Sequence, residues 1–185
     1  MRVRIVFKLK NRGGYVPFHH QHLLSQWIKE LARQGGDTYS AYHFYNFSGL
    51  KGQTKISRNG LHFYSSKVTL VISAKSEDFM NFLLSKIFSF KEIKIGTLQL
   101  VPELIEKEKP PQFVQEVKYL CISPMVLVNP RYDNFYAKKF IPPDTDIFSD
   151  LLYESTMTRM EKSGEYDEKI IASFFNFKLY QISFT

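Results

Sequence analysis

The amino-acid sequence predicts an α+β protein made of tandem ferredoxin-like (RRM-like) domains, of which the second is incomplete. Residues 1–105 have the order strand, helix, strands, helix, strand, which is the βαββαβ order of that fold with one added hairpin. A charged segment broken by two prolines, 106–112, is the predicted linker. From residue 113 a second series of strands and a helix begins, and the 185-residue chain ends before that series is complete.

The first strand and the first helix are predicted from their side-chain periods. Residues 2–10 alternate cations with apolar residues, as a strand with one buried face does. After a turn at 11–14, a helix is expected over about 19–33, ended by the Gly35-Gly36 pair. Its apolar stripe has helical spacing and consists of Leu24, Trp27, Ile28 and Leu31. His20 lies on the same stripe, so we expect it to be a hydrogen-bonded structural histidine.

Turn and periodicity signals predict the rest of the first domain. A strand is expected from Phe44, and the Asn59-Gly60 pair predicts a hairpin turn. Strands over 61–65 and 67–73 follow, then a helix over 75–90 and a last strand from about 92 to 104.

Residues 113–185 begin the same order again. Strands are predicted over 113–122 and 125–128, and a helix over about 145–162, with Asp144 or Thr145 as its N-cap. Residues 170–184 have the pattern of a long final strand. The free edge of such a strand attracts a partner, so we expect a homodimer or another subunit to cover it.

Composition places the chain among soluble globular proteins. Its residues are 44% hydrophobic, and no apolar run approaches the ~18 residues of a membrane span, which predicts a cytoplasmic protein. Cys121 is the single cysteine, which excludes an internal disulfide and predicts a reducing compartment without a structural zinc site. No cofactor is expected.

The positive charge is concentrated in the first third of the chain. Residues 1–67 contain eleven Lys and Arg against two acidic residues, a net +9, although the whole chain carries +7. Such an asymmetry favours a polyanion as the partner, and nucleic acid is the commonest one. The alternative is that these cations only keep the protein soluble.

The segment 39–52 concentrates side chains suited to work on a phosphodiester. It contains His43, and a lysine flanked by glycine, Lys51, follows the alternating aromatic residues. A histidine exchanges protons near neutral pH, and a lysine offers a fixed charge to phosphate. The predicted first helix adds a polar, cationic face that consists of His22, Gln26, Lys29 and Arg33. An aromatic structural strand and a solvated helix face are the alternatives.

Several segments resemble one family, the CRISPR-associated endoribonucleases that process repeat RNA, Cas family six (RAMP type). They are the opening strand, 17–24 (PFHHQHLL), 42–50 (YHFYNFSGL), 60–66 (GLHFYSS) and 120–126 (LCISPMV). The resemblance implies tandem ferredoxin-like domains, CRISPR repeat RNA as substrate, and other CRISPR effector subunits as partners. It also implies His43 as catalytic histidine, with Lys29 on the helix and Lys51 on the loop assisting it. One departure concerns the family's glycine-rich RNA-binding loop near the C-terminus, because this chain has no glycine after Gly164.

The implied reaction is metal-independent attack of the RNA 2′-OH on the adjacent phosphorus, which leaves a 2′,3′-cyclic phosphate. We expect His22, Arg33, Lys55 and Arg58 to bind the RNA. Two alternatives remain. One is a non-catalytic RNA-binding module of the same fold, which stacks bases on its sheet aromatics, Phe44, Tyr45, Phe63 and Tyr64. The other is a structural assembly subunit.

Overall fold

The computed structural model describes residues 1–109, 127–128, 140–164 and 166–174. The chain divides into two compact units, Met1–Phe113 and Val114–Thr185. The elements of the first unit are β1 (Arg2–Leu9), β2 (Tyr15–Val16), α1 (Gln21–Arg33), α2 (Asp37–Ser40), β3 (Tyr45–Phe47), β4 (Thr54–Ser57), β5 (Gly60–Phe63), β6 (Lys67–Ala74), α3 (Glu77–Ser89), β7 (Ile93–Ile95) and β8 (Leu98–Lys107).

The large sheet of the first unit has the strand order β3-β6-β1-β8-β7, and its neighbouring strands are antiparallel. Taken with α1 and α3, the sequence β1-α1-β3-β6-α3-β8 is the ferredoxin-like βαββαβ order. The α+β, ferredoxin-like prediction for this part of the chain is therefore confirmed. Helices and sheet share one core, in which Val3, Ile5 and Phe7 of β1 are at most 1% exposed.

The predicted apolar stripe of α1 explains how this helix packs. Leu24, Ile28 and Leu31 are at most 1% exposed, and Trp27 is partly buried against the same core. On α3, the Ser76 side chain accepts a hydrogen bond from the backbone N–H of Phe79 and caps the helix.

A second, smaller sheet is present in addition to the ferredoxin-like elements. Its strand order is β2-β5-β4, with both neighbouring pairs antiparallel. The hairpin predicted at Asn59-Gly60 joins β4 to β5. Val16 and Phe63 are fully buried and attach this small sheet to the core.

Two predicted strands are wrong in part. The strand expected over 92–104 is a hairpin, because Gly96 adopts a positive φ of 59° and turns the chain between β7 and β8. Strand β8 continues to Lys107 and pairs with β1, so the first two residues of the predicted linker lie in the sheet. The strand expected over 170–184 begins as a helix, α5 (Glu168–Ser173), whose N-cap Asp167 accepts from the N–H of Ile170.

The described part of the second unit contains β9 (Leu127–Val128) and β10 (Phe140–Ile141), which pair antiparallel, followed by α4 (Asp146–Ser163) and α5. Helix α4 confirms the predicted third helix, and the Thr145 hydroxyl accepts from the N–H of Phe148 as its cap. The strand predicted over 113–122, half of that over 125–128, and residues 175–184 of the final one lie outside the described residues.

Candidate functional site

His43 lies in the short connection between α2 and β3, with its side chain exposed. Its ring contacts the ring of Phe44, with 4.4 Å between centroids. The Nδ1 atom is 2.9 Å from the carbonyl oxygen of Ala41. Because a carbonyl oxygen only accepts, the neutral ring carries its hydrogen on Nδ1, and Nε2 keeps a free lone pair. In this tautomer, Nε2 is the ring nitrogen that is able to accept a proton.

Lys51 lies on the same edge of the large sheet as His43 but far along it. Its backbone pairs with Thr69, whereas the carbonyl of Phe44 accepts from the N–H of Lys75. Six residues of strand separate those two positions on the β6 side, which at ~3.3 Å per residue is roughly 20 Å. Strand side chains stand about perpendicular to the sheet and do not close this gap. The expectation that His43 and Lys51 act on one phosphate is therefore not supported by the register.

Lys29 and Arg33 are exposed on α1, as the sequence predicts. Both line a shallow groove between α1 and β7, together with Trp27 and Lys94. Arg33 forms an ion pair of 3.1 Å with Glu30 on the same helix. This pair is solvent-exposed and therefore weak, so it limits the local field of Arg33 without fixing the side chain.

Two histidines near the start of α1 behave differently. His22 is exposed, donates from Nδ1 to the carbonyl of His19 at 2.7 Å, and stacks on the His19 ring. His20 is only 6% exposed, and its Nε2 accepts a hydrogen bond from the backbone N–H of Leu50 at 3.2 Å. Burial lowers the pKa of His20 below its ordinary value, which favours the neutral acceptor. The prediction of a structural, hydrogen-bonded His20 is confirmed.

The remaining predicted RNA-binding residues belong to the small sheet. Lys55 lies on β4, and Arg58 lies in the β4–β5 turn; both are exposed. The ammonium of Lys55 is 5.2 Å from the centroid of the Tyr64 ring, a cation–π distance. Among the described residues, no hydrogen bond or ion pair links His43, Lys29 and Lys51 to one another or to Lys55 and Arg58.

The aromatic residues proposed for base stacking are only partly available. Phe63 is fully buried, which contradicts its assignment, and Tyr45 stacks on the buried ring of Phe79. Phe44 contacts Tyr42 and His43. Tyr64 is 44% exposed. Of the four predicted stacking residues, Tyr64 presents the most open ring.

Ion pairs neutralise part of the positive charge of residues 1–67. The pairs are Arg2–Glu108, Arg4–Glu106, Arg4–Glu108, Arg33–Glu30 and Lys67–Glu103. Four of the eleven cations thus have carboxylate partners, three of them on the large sheet. No sequence signal identified these pairs, because most of their partners lie beyond residue 100.

The described residues contain neither a cluster suited to a metal ion nor a helix suited to a membrane span. Within those ranges, no group of three or more His, Cys, Asp and Glu side chains is arranged to hold a metal ion. None of the helices in the described part of the chain is long and apolar enough to span a membrane.

Several solved structures are similar to this chain, and three of them illustrate the similarity. A protein described as CRISPR associated protein Cas6 superposes with a TM-score of 0.72 and 17% identity, over 90% of this chain and 72% of that one. The product of a Cas6-related gene from Pyrococcus furiosus gives a TM-score of 0.75 and 20% identity, over 91% and 73% of the chains. A RAMP protein described as binding different RNA substrates gives 0.72 and 22%, over 91% and 74%. No protein-family model and no curated protein matches the sequence. At these identities the similarity is one of fold, and it supports the predicted fold class over most of the chain.

Proposed function

We propose that this chain is a Cas6-like RAMP protein that cuts CRISPR repeat transcripts into guide RNAs without a metal ion. The observation that carries the proposal is His43, an exposed histidine whose Nδ1–H is held by the Ala41 carbonyl so that Nε2 is free to take a proton. The likeness to Cas6 and RAMP structures supports the substrate class. Repeat RNA, other subunits of a CRISPR complex and a cytoplasmic location belong to the same proposal.

RNA supplies the nucleophile for this reaction. The 2′-oxygen attacks the adjacent phosphorus, the bond from phosphorus to the 5′-oxygen breaks, and the products are a 2′,3′-cyclic phosphate and a 5′-OH end. Neutral His43 accepts the 2′-OH proton at Nε2 and then returns a proton to the leaving 5′-oxygen. General acid–base catalysis of this kind contributes about 10²–10⁴-fold.

The cations take separate parts in this scheme. Lys29 lines the groove beside β7, whereas His43 precedes β3 at the opposite edge of the large sheet, about four strand spacings of ~4.8 Å away. Lys29 is therefore proposed to bind the RNA backbone and not to stabilise charge on the phosphorane at His43. Lys51, roughly 20 Å along the sheet edge from His43, binds a different phosphate of the same strand. Its contribution is therefore to RNA affinity and not to the chemical step.

The test uses labelled repeat RNA, the intact protein and EDTA. Wild-type protein is expected to cut the RNA in EDTA, and a single 2′-deoxy substitution at the cut site should abolish cleavage while preserving binding. His43→Ala should slow single-turnover cleavage by about 10²-fold or more with affinity changed only a few-fold. His19→Ala is the matched control for the chemical step: it removes another exposed imidazole ring, one that stacks on His22, and should leave the single-turnover rate at saturating protein unchanged.

Two results would contradict the proposal. Cleavage by His43→Ala at the wild-type rate would remove the catalytic assignment. Binding of repeat RNA by the wild type without any cleavage would favour the non-catalytic RNA-binding module.

A further inference from the structure

One face of the small sheet carries a row of aromatic and basic side chains. Tyr15 on β2 is directly opposite His62 on β5, and His62 is directly opposite Lys55 on β4. Residues paired in register share a face of the sheet, and Tyr64, two residues beyond His62, lies on that face as well. We call these four residues the aromatic face of the small sheet.

The contacts within the aromatic face hold its rings in place. The rings of Tyr15 and His62 are stacked, with centroids 5.1 Å apart and planes 27° apart. The Nδ1–H of His62 donates to the carbonyl of Gly13 at 2.9 Å, which fixes the ring orientation. Lys55 lies over the Tyr64 ring. Because Val16 and Phe63 on the opposite face are fully buried, the aromatic face points away from the core.

The charge around the aromatic face is uniformly positive. The segments that form or flank the small sheet, 10–16 and 51–66, contain five cations and no acidic residue. These cations are Lys10, Arg12, Lys51, Lys55 and Arg58. In the described part of the chain, none of them forms an ion pair with a carboxylate. A surface with unpaired cations, one exposed ring (Tyr64) and two partly buried rings (Tyr15 and His62) is complementary to a strand that has phosphates on one side and bases on the other.

The large sheet does not offer the same chemistry. Its face opposite the helices carries Arg2 and Arg4 beside Ser73 and Val71, and both arginines are paired with Glu106 or Glu108. The rings of β3 pack on the side of α3, where Tyr45 stacks on Phe79. Base stacking on the open face of the large sheet, as in an RNA-recognition module, is therefore not favoured here.

We propose that the aromatic face of the small sheet binds unpaired nucleobases of single-stranded RNA. Tyr64 provides the open ring on which one base stacks, the Tyr15–His62 pair provides a second platform beside it, and the surrounding cations hold the backbone. This inference rests on the RNA-binding part of the proposed function and adds a site for an unpaired stretch. It is independent of the cutting chemistry at His43.

The experiment measures binding of the intact protein to an unstructured single-stranded RNA by fluorescence anisotropy, alongside the same oligonucleotide with abasic sites. Tyr64→Ala is expected to weaken binding to the full RNA by about tenfold, the usual effect of removing one stacking ring. Tyr64→Phe, which keeps a ring, should bind within about twofold of wild type. Phe90→Ala, at an exposed aromatic residue that ends α3, is the matched control and should have no effect.

The abasic RNA separates stacking from charge. It keeps its phosphates but has no bases, so Tyr64→Ala should cause no further loss on it. Lys55→Gln should weaken binding to both RNAs and reduce the salt slope by about 0.7, whereas Lys91→Gln should leave the slope unchanged. An equal loss with single-stranded DNA of the same sequence would support recognition of the bases and not of the sugar.

The inference and the proposed function fail in different ways. If Tyr64→Ala binds the full RNA as tightly as wild type, or loses equally on the abasic RNA, the stacking site is wrong even when His43 proves catalytic. If His43→Ala cuts normally while Tyr64→Ala shows the expected base-dependent loss, the cleavage assignment alone is wrong.

Discussion

Replacing His20 with leucine tests how α1 is tied to the segment that carries Lys51. His20 Nε2 accepts from the N–H of Leu50, a residue only 7% exposed, and leucine cannot accept this hydrogen bond. The carbonyl of Pro17 keeps a partner, because it also accepts from the backbone N–H of His20. The substitution therefore leaves one buried donor, the N–H of Leu50, without an acceptor, which lowers the free energy of unfolding by about 1–3 kcal/mol. Leucine is close to imidazole in size, so the cavity term is small.

Urea denaturation at pH 8, followed by circular dichroism, measures this loss. A reduction of about 1–3 kcal/mol is a large share of the 5–15 kcal/mol that stabilises a typical domain, so the midpoint should fall clearly. His19→Leu, at an exposed neighbour, should change the free energy of unfolding by no more than about 0.5 kcal/mol. Equal midpoints for wild type and His20→Leu would refute the hydrogen-bond account.

The pH dependence of stability gives a second measure of the same residue. Burial holds the pKa of His20 below 6.5 in the folded protein, so the unfolded chain binds its proton first as the pH falls. The stabilisation is complete above pH 6.5 and is lost as the pH drops from there through the lower, folded-state pKa, by at most about 1.4 kcal/mol per pH unit. His20→Gln keeps an acceptor and does not titrate. A wild-type curve parallel to the His20→Gln curve between pH 8 and pH 5 would contradict this reasoning.

Three other substitutions test separate parts of the first unit. Lys51→Gln should weaken RNA binding by about tenfold, which is the value of one charge-assisted contact. It should leave the single-turnover rate at saturating protein unchanged, and a slower rate would show that Lys51 acts in the chemical step. Ser76→Ala removes the cap of α3, and urea unfolding should show a loss of about 1 kcal/mol. Gly60→Ala should destabilise the β4–β5 hairpin by about 1–3 kcal/mol, because φ is +133° and a Cβ would meet the Val16 carbonyl; thermal unfolding and RNA binding should both be affected.

Local signals made the element order predictable from the sequence. The stripe that contains Leu24 and Ile28 has a period of 3.6, and those residues are buried as that period requires. The Thr145 cap was identifiable because a hydroxyl before a helix accepts from an N–H three residues later, and the structure has this bond to Phe148. Such signals involve residues that are close in sequence, so they can be recognised without knowledge of the tertiary fold.

The wrong predictions arose where a period-2 pattern competed with a capping or turn signal. The segment from residue 170 is rich in apolar residues but alternates only from Phe175 onward, and Asp167 caps a helix over its first residues by accepting from the N–H of Ile170. In the 92–104 segment, Ile93–Ile95 and residues 98–100 both alternate apolar and polar residues, and a single glycine with positive φ, Gly96, turns this alternating pattern into a hairpin. Alternation shows which residues could share a face, but it does not show whether the chain stays extended.

The candidate site was harder to predict because it depends on strand register. His43 and Lys51 are eight residues apart in a chain that could have formed one loop. The pairing of that chain with β6 instead keeps it extended, and His43 and Lys51 lie toward opposite ends of one edge. The opposite holds for Tyr15, His62 and Lys55, which are neighbours in the small sheet. Tyr15 and His62 are 47 positions apart in the sequence, and Lys55 and His62 are 7 apart. Neither arrangement follows from composition or spacing.

The net charge of a segment overstates its positive potential when some of its cations form ion pairs with carboxylates. The +9 of residues 1–67 treats eleven cations as equivalent, but Arg2, Arg4 and Lys67 face carboxylates that lie beyond residue 100 on β8 or just after it. Exposed ion pairs of this kind add little stability, yet each cancels most of a local charge within a Debye length of about 10 Å. The positive potential that remains is therefore concentrated on the segments around the small sheet. In the proposed binding mode, an RNA steered by that potential meets the aromatic face first, and the paired arginines of the large sheet contribute little to its approach.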